Sequence, residues 1–301
     1  MMLENHLAPL LAYLDDPSVV EIQANELGIL WVETVQHGLQ PIEIPELTAD
    51  YYAKLGSIVA NTNHATDYDR RPYVAAALPG GHRMQLCRGN SIKSGIAMSI
   101  RPWRERRYTL DDYDLSPDQL AIVQDALKTA KNILISGGMF SGKTTFTNAL
   151  IELIPPTDRV ISIEDTPELD LTHIPNRAEF IVQRLATNEE IDYPEVLKAV
   201  MRLRPDRTLI GELNDTNTAL FGRILNMGHG GTISTIHADS PELSFAALSQ
   251  NAALGGLSAE ANKANNQVFR DNLALIIQLN RDPKTYKRRV TQFWKNPAQY
   301  D

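Results

Sequence analysis

The segment "GGMFSGKT", Gly137 to Thr144, carries the strongest chemical signal in the chain. It matches G-x-x-x-x-G-K-[ST], a pattern in which glycines let successive backbone N–H groups curl around phosphate oxygens while a helix N-terminus adds positive potential. It follows the apolar run "NILIS" and opens the amphipathic "TTFTNALIELI", the strand-then-helix setting that such a loop needs. Gly137, Gly138, Ser141, Gly142, Lys143, Thr144 and Thr145 are therefore candidate nucleotide-binding residues. Lys143 is assigned to the β- and γ-phosphates, and the Thr144 hydroxyl to Mg2+. Many reactions share a nucleoside triphosphate site of this kind, so the chemistry must be read from other residues.

Three further segments supply it. "RVISIED" ends in Glu164 and Asp165, "RTLIGEL" ends around Glu212, and "GTISTIHA" ends at His237. In sheets of parallel strands, ligands lie beyond the carboxyl ends, so these side chains should emerge on the same edge as the phosphate loop. Carboxylates there can order a magnesium-bound water and a water that attacks the γ-phosphorus. An imidazole at that edge can donate to a γ-phosphate oxygen and so distinguish a triphosphate from a diphosphate. Thr232 and Thr235 alternate with Ile233 and Ile236, the pattern of a half-buried strand. Alone, a histidine after an apolar run is more often structural; beside the other strand ends His237 is read as functional.

The elements that must position these groups fall into two parts. Residues 1–103 read as a mixed α+β domain: leucines 3, 7, 10 and 14 at helical spacing, short strands, a helix that Thr48 can cap, and a Pro-Gly-Gly hairpin. Residues 104–117, polar and without periodicity, read as a linker. Residues 118–301 alternate helices with apolar strands at 132–136, 159–165, 207–213, 231–238 and 273–280. Runs that are apolar almost throughout predict a mainly parallel sheet covered on both faces, hence an α/β fold.

Composition narrows the class. The chain has 301 residues, 43% of them apolar, and a formal net charge of −8, which argues against direct nucleic-acid binding as the main role. Cys87 is the only cysteine, which excludes a disulfide framework and fits a reducing cytoplasm. The first residues lack the charge and apolar run of a secretion signal, and no stretch reaches the roughly 18 apolar residues of a membrane span. His6, His37, His64, His82 and His173 show no metal-ligand spacing. Cys87 is expected in the core.

Taken together, "GGMFSGKT", "VISIEDTPEL", "RLRPDRTLIGEL" and "GHGGTISTIHADS" resemble the Walker A, Asp box, Walker B and His box of the VirB11 and TrbB-like traffic ATPases of type IV secretion and conjugation systems. "DDPSVVEIQANELGILWVE", "LPGGHRMQL" and "SIRPW" resemble that family's N-terminal domain more weakly. The resemblance implies a RecA-like P-loop domain and a homo-hexameric ring that hydrolyses ATP with Mg2+. It also implies a cytoplasmic location at the inner-membrane face, among other secretion-machinery proteins. Under it, Glu212 becomes the general base, and Glu164 an acidic partner that helps hold water or Mg2+. His237 becomes the γ-phosphate sensor, and Arg83 and Arg101 arginines that reach the phosphates. One or more of Arg202, Arg204 and Arg207 would contact an adjoining subunit. His229 fits a structural turn, and Arg104, Arg106 and Arg107 a solvated hinge. The family usually carries an arginine where this chain has Asn214, which puts coupling between subunits in question. A type IV pilus or type II secretion ATPase, or a nucleotide-dependent scaffold with little hydrolysis, are the alternatives.

Overall fold

Of leucines 3, 7, 10 and 14, three lie on helix, in two pieces, α1 (Met2–His6) and α2 (Ala8–Leu14), and Leu7 is the junction residue between them. Pro9 sits in the first turn of α2, where its missing N–H costs nothing, but it cannot serve a helix continuous with α1. The computed structural model describes residues 2–34, 36–62, 68, 72–103, 108–182, 192–228, 230–282 and 287–300. His64, His229, Arg104, Arg106 and Arg107 therefore lie outside the described residues. The chain divides into two compact units, Met1–Arg106 and Arg107–Asp301.

After α1 and α2, the first unit has β1 (Val19–Glu26), β2 (Ile29–Thr34), β3 (Gly38–Glu43), α3 (Ala49–Thr62), β4 (Tyr73–Ala77), β5 (Arg83–Arg88) and β6 (Ile96–Arg101). The strands form one antiparallel sheet in the order β3-β2-β1-β6-β5-β4. Ile22, Val74, Leu86 and Ile100 share its core with Tyr52, Leu55 and Val59 of α3. The Thr48 hydroxyl accepts from Tyr51 N at 3.2 Å, the capping bond that the sequence suggests. The β4–β5 hairpin turns through Gly80 and Gly81, at φ 80° and 79°. Cys87 is only half-buried, because β5 alternates its faces and Cys87 falls opposite the core residue Leu86.

The second unit runs α4 (Pro117–Lys128), β7 (Ile133–Gly137), α5 (Lys143–Ile151), β8 (Val160–Glu164), β9 (Arg177–Ile181), α6 (Tyr193–Leu203), β10 (Arg207–Ile210), α7 (Thr218–Leu225), β11 (Thr232–Ile236), α8 (Pro241–Leu254), α9 (Ala259–Asn272), β12 (Leu275–Arg281), β13 (Arg288–Lys295) and α10 (Pro297–Tyr300). Its sheet has the order β13-β12-β7-β11-β10-β8-β9, parallel throughout except for β13 on β12. Ile133, Ile135, Leu209 and Ile233 join one core; Leu134, Ile210, Ile236 and Ile276 join another. Since neighbours along a strand point to opposite faces, the sheet is covered on both sides. That corrects the reading of β11 as half-buried: all five of its residues are buried, hydroxyls included.

Residues 108–117 also differ from their reading as linker. Leu110 and Tyr113 are buried in the same core as Ile133. The polar letters around them are caps: Thr109 with Asp112 closes one capping box, and Ser116 with Gln119 closes another at the start of α4.

A phosphate loop, a glutamate and a histidine on one sheet edge

The register of the parallel strands decides what meets at this edge. Ser136 pairs with Ile236, so Gly137 and His237, the next residues, leave adjacent strands at the same level. Ile210 pairs with both Ser234 and Ile163, which sets Gly211 and Glu212 beside Thr235 on one flank and Glu164 on the other.

Three of the predicted residues come together there. The Lys143 ammonium donates to the carbonyls of Gly137 and Gly138, each at 3.1 Å, and lies 3.0 Å from His237 Nδ1. His237 Nε2 lies 2.9 Å from Glu212 Oε1, which is itself 4.0 Å from the ammonium. An ammonium can only donate, so Nδ1 accepts and the proton sits on Nε2, facing the carboxylate. Lys143 is buried, whereas His237 and Glu212 are 49% and 36% exposed. The cation is thus held from below, and the acceptor end opens to solvent.

Glu212 owes its position to backbone bonds on every side. Gly211 N donates to Ile163 O at 3.0 Å, and Leu213 N to Thr235 O at 2.8 Å. The Thr235 hydroxyl donates to Gly211 O and the Asn217 amide to Glu212 O, each at 2.8 Å. Asn214 forms a turn, its Oδ1 accepting from Thr216 N at 2.8 Å and from the Thr216 hydroxyl at 2.5 Å.

The loop fits a polyphosphate. Gly137 cannot carry a side chain: a Cβ there would lie 2.4 Å from Ser141 Oγ and 2.8 Å from Leu279 O. Gly142 caps α5 at φ 89°, a left-handed conformation natural to glycine. Ser141 Oγ is buried without a hydrogen-bond partner, and the Thr144 hydroxyl makes no hydrogen bond among the described residues. Both suit incoming phosphate and magnesium ligands. Gly138 has open space where a side chain would be, and Thr145 stands on the first turn of α5. No group of three or more His, Cys, Asp or Glu side chains among the described residues could hold a metal. A magnesium ion at the Thr144 hydroxyl would take its other oxygens from phosphates and water, as Mg2+ sites in nucleotide enzymes do.

Other expected residues have contacts of their own. Glu164 is buried on β8, and its Oε1 accepts from Glu168 N at 2.8 Å and Leu169 N at 3.0 Å, so this oxygen holds a loop. Arg83 and Arg101 are cross-strand partners in the first unit's sheet. Arg207 is 3% exposed and bonds Asp158 Oδ2 at 2.8 Å within its own unit; Arg202 and Arg204 are exposed. His6 and His173 bond backbone carbonyls, and His82 accepts from Trp103 N.

Sequence reading missed Gln278. Buried on β12, it hydrogen-bonds Ser136 just before the loop and donates to Ala238 O at 3.1 Å just after His237. A glutamine inside "LALIIQLN" is the signal that could have found it, because a buried amide must have partners.

Residues 75–290 match the family model described as Type II/IV secretion system protein. The conjugal transfer protein TrbB of Rhizobium radiobacter is 36% identical over 90% of this chain and 82% of its own length. The type IV secretion system protein VirB11 of Bartonella quintana is 29% identical over 97% and 92%. Among solved structures, the VirB11 ATPase of the Brucella suis type IV secretion system, in complex with sulphate, aligns with a TM-score of 0.52 at 26% identity, covering 98% of this chain and 95% of that one. The Legionella pneumophila ATPase DotB shares the fold, with a TM-score of 0.69 at 14% identity over 96% and 80%.

Proposed function

The chain belongs to the type II/IV secretion system protein family, and we propose that it is the Mg2+-dependent, ATP-hydrolysing motor of a bacterial type IV secretion or conjugation system. One observation carries this reading: Lys143 at the start of α5, and His237 and Glu212 just past the ends of β11 and β10, are joined in one chain of polar contacts at the phosphate loop.

When ATP binds, Lys143 exchanges its loop carbonyls for β- and γ-phosphate oxygens, and the loop amides take up the remaining charge. Glu212 accepts a proton from the attacking water. As the water oxygen bonds to the γ-phosphorus, the bond to the β–γ bridging oxygen breaks, giving ADP and phosphate. His237 orients the Glu212 carboxylate through Nε2–H and stands where a γ-phosphate would displace its contact with Lys143. The Thr144 hydroxyl, and a water held by Glu164, are the groups that would hold Mg2+, which neutralises phosphate charge when bound. Arg83 and Arg101 supply further guanidiniums to the phosphates. The working form is a homo-hexamer at the cytoplasmic face of the inner membrane. Residues 1–103 serve as its smaller domain, and 118–301, with the packed segment 108–117, as its ATPase domain. Substrate transfer or pilus biogenesis is the work it drives.

The test is ATP turnover per subunit as protein concentration rises, with Mg2+ present. Specific activity that climbs to a plateau supports an assembled motor. Absence of Mg2+-dependent turnover at every concentration would overturn the reading.

A further inference from the structure

Three consecutive basic residues, Lys287, Arg288 and Arg289, lie at the start of β13. The outer two share one carboxylate: Lys287 Nζ lies 2.8 Å from Asp114 Oδ2, and Arg289 Nε lies 3.4 Å from it. The hydrogen bond from Lys287, with both charges, holds the Asp114 carboxyl below the usual carboxylate range. Strand alternation sends Arg288 to the opposite face.

On that face, half-buried, Arg288 meets the phosphate loop. A Cβ placed on Gly142 would lie 2.6 Å from Arg288 Cδ and 2.8 Å from its Nε, so the arginine stem runs directly over the loop's last glycine. Its Nη1 is 3.5 Å from Thr145 Oγ1, and its guanidinium stands 5.2 Å from the ring centroid of Tyr108. No carboxylate pairs with it among the described residues. A partly desolvated guanidinium among neutral groups, the Thr145 hydroxyl, the Tyr108 ring and the Tyr113 phenol on which its charge acts, is under-compensated until an anion arrives.

The sheet order says which part of the nucleotide it meets. β11 and β10, which deliver His237 and Glu212, flank β7 on one side; β12 and β13, which deliver Arg288, flank it on the other. The water-attack end of the polyphosphate lies toward the first side, so the nucleoside end lies toward the second. The geometry points to Arg288 as a binding residue for the α-phosphate of the bound nucleotide. This rests on the ATPase reading above.

Because ATP and ADP both carry an α-phosphate, Arg288→Gln should weaken ADP and a non-hydrolysable ATP analogue by the same factor, about 10- to 150-fold for a charged hydrogen bond. Titration calorimetry on the full chain reads both. Unchanged affinities overturn the inference, and so does a loss confined to the ATP analogue, since that marks a γ-phosphate contact. A wild-type protein that binds neither nucleotide would end the ATPase reading itself, and this inference with it. A structure of the wild-type chain with ADP tests the inference without any variant. A guanidinium within hydrogen-bonding reach of an α-phosphate oxygen supports it, and one without phosphate contact overturns it.

Discussion

Replacing Glu212 by Gln separates the base from its surroundings. The glutamine oxygen can still accept from His237 Nε2, now 2.9 Å from Glu212 Oε1, so the imidazole keeps its orientation. What disappears is a proton acceptor and one negative charge 4.0 Å from the Lys143 ammonium. At an effective dielectric of about 20, that distance corresponds to an attraction of about 4 kcal/mol, an upper bound for a carboxylate 36% exposed and screened by water. Removing the charge also removes its repulsion toward the γ-phosphate, so ATP affinity should hold or tighten. Loss of a general base lowers the chemical step by about 10²- to 10⁴-fold, or about 3 to 5.5 kcal/mol in the barrier. Single-turnover hydrolysis with equilibrium binding of the same nucleotide measures the two quantities separately. Turnover within about threefold of wild type would refute the assignment of the base. Parallel loss of binding and turnover would instead make Glu212 a support for Lys143.

Gly137→Ala should abolish tight ADP binding and cost about 1–3 kcal/mol of stability, because its methyl group would overlap Ser141 Oγ and Leu279 O; calorimetric binding and thermal unfolding check both. Thr235→Val removes the 2.8 Å bond to Gly211 O at nearly constant volume. It should cost about 1 kcal/mol of stability and lower turnover more than ADP affinity, while Thr235→Ser restores both; equal losses in the two would make the hydroxyl a purely structural one. Asp158→Asn leaves Arg207, 3% exposed, without its carboxylate, and should destabilise the second unit by about 3 kcal/mol in urea unfolding; a change under about 0.5 kcal/mol would contradict that account.

The sequence made the centre of the second sheet readable because β7, β8, β10, β11 and β12 are apolar enough to demand cover on both faces. Its edges were not readable. In β9, "RAEFI", no residue is fully buried, and β13, "RRVTQFWK", begins with two arginines, as suits a strand with one neighbour. α9, "AEANKANNQVFRDN", buries Phe269 alone, so its polar letters gave no apolar stripe to follow. Within the candidate site, residue type and strand position pointed to Lys143, Glu212 and His237, whose side chains meet in the structure. They could not reveal that Glu164 Oε1 holds two backbone amides, or that Asp114 takes Lys287 and Arg289 and leaves Arg288 for the loop, because those depend on contacts between segments distant in sequence.

The misreading of β11 has a physical lesson of its own. A strand buried on both faces has no need of hydroxyls for packing, and each one brings a polar atom that must be satisfied. Ser234 donates its hydroxyl to Ile210 O, the last carbonyl of the neighbouring strand, and Thr235 to Gly211 O just beyond it, both at 2.8 Å. β10 is only four residues long and ends at Ile210, two residues short of Glu212. Beyond that point few ladder bonds remain to hold the chain, and the side-chain bonds from β11 take over where the ladder thins. An all-apolar β11 would pack the same core and leave the Gly211–Glu212 segment with fewer restraints. The hydroxyls that imitate a half-buried strand thus extend the rigid sheet by the residues needed to carry Glu212 to His237.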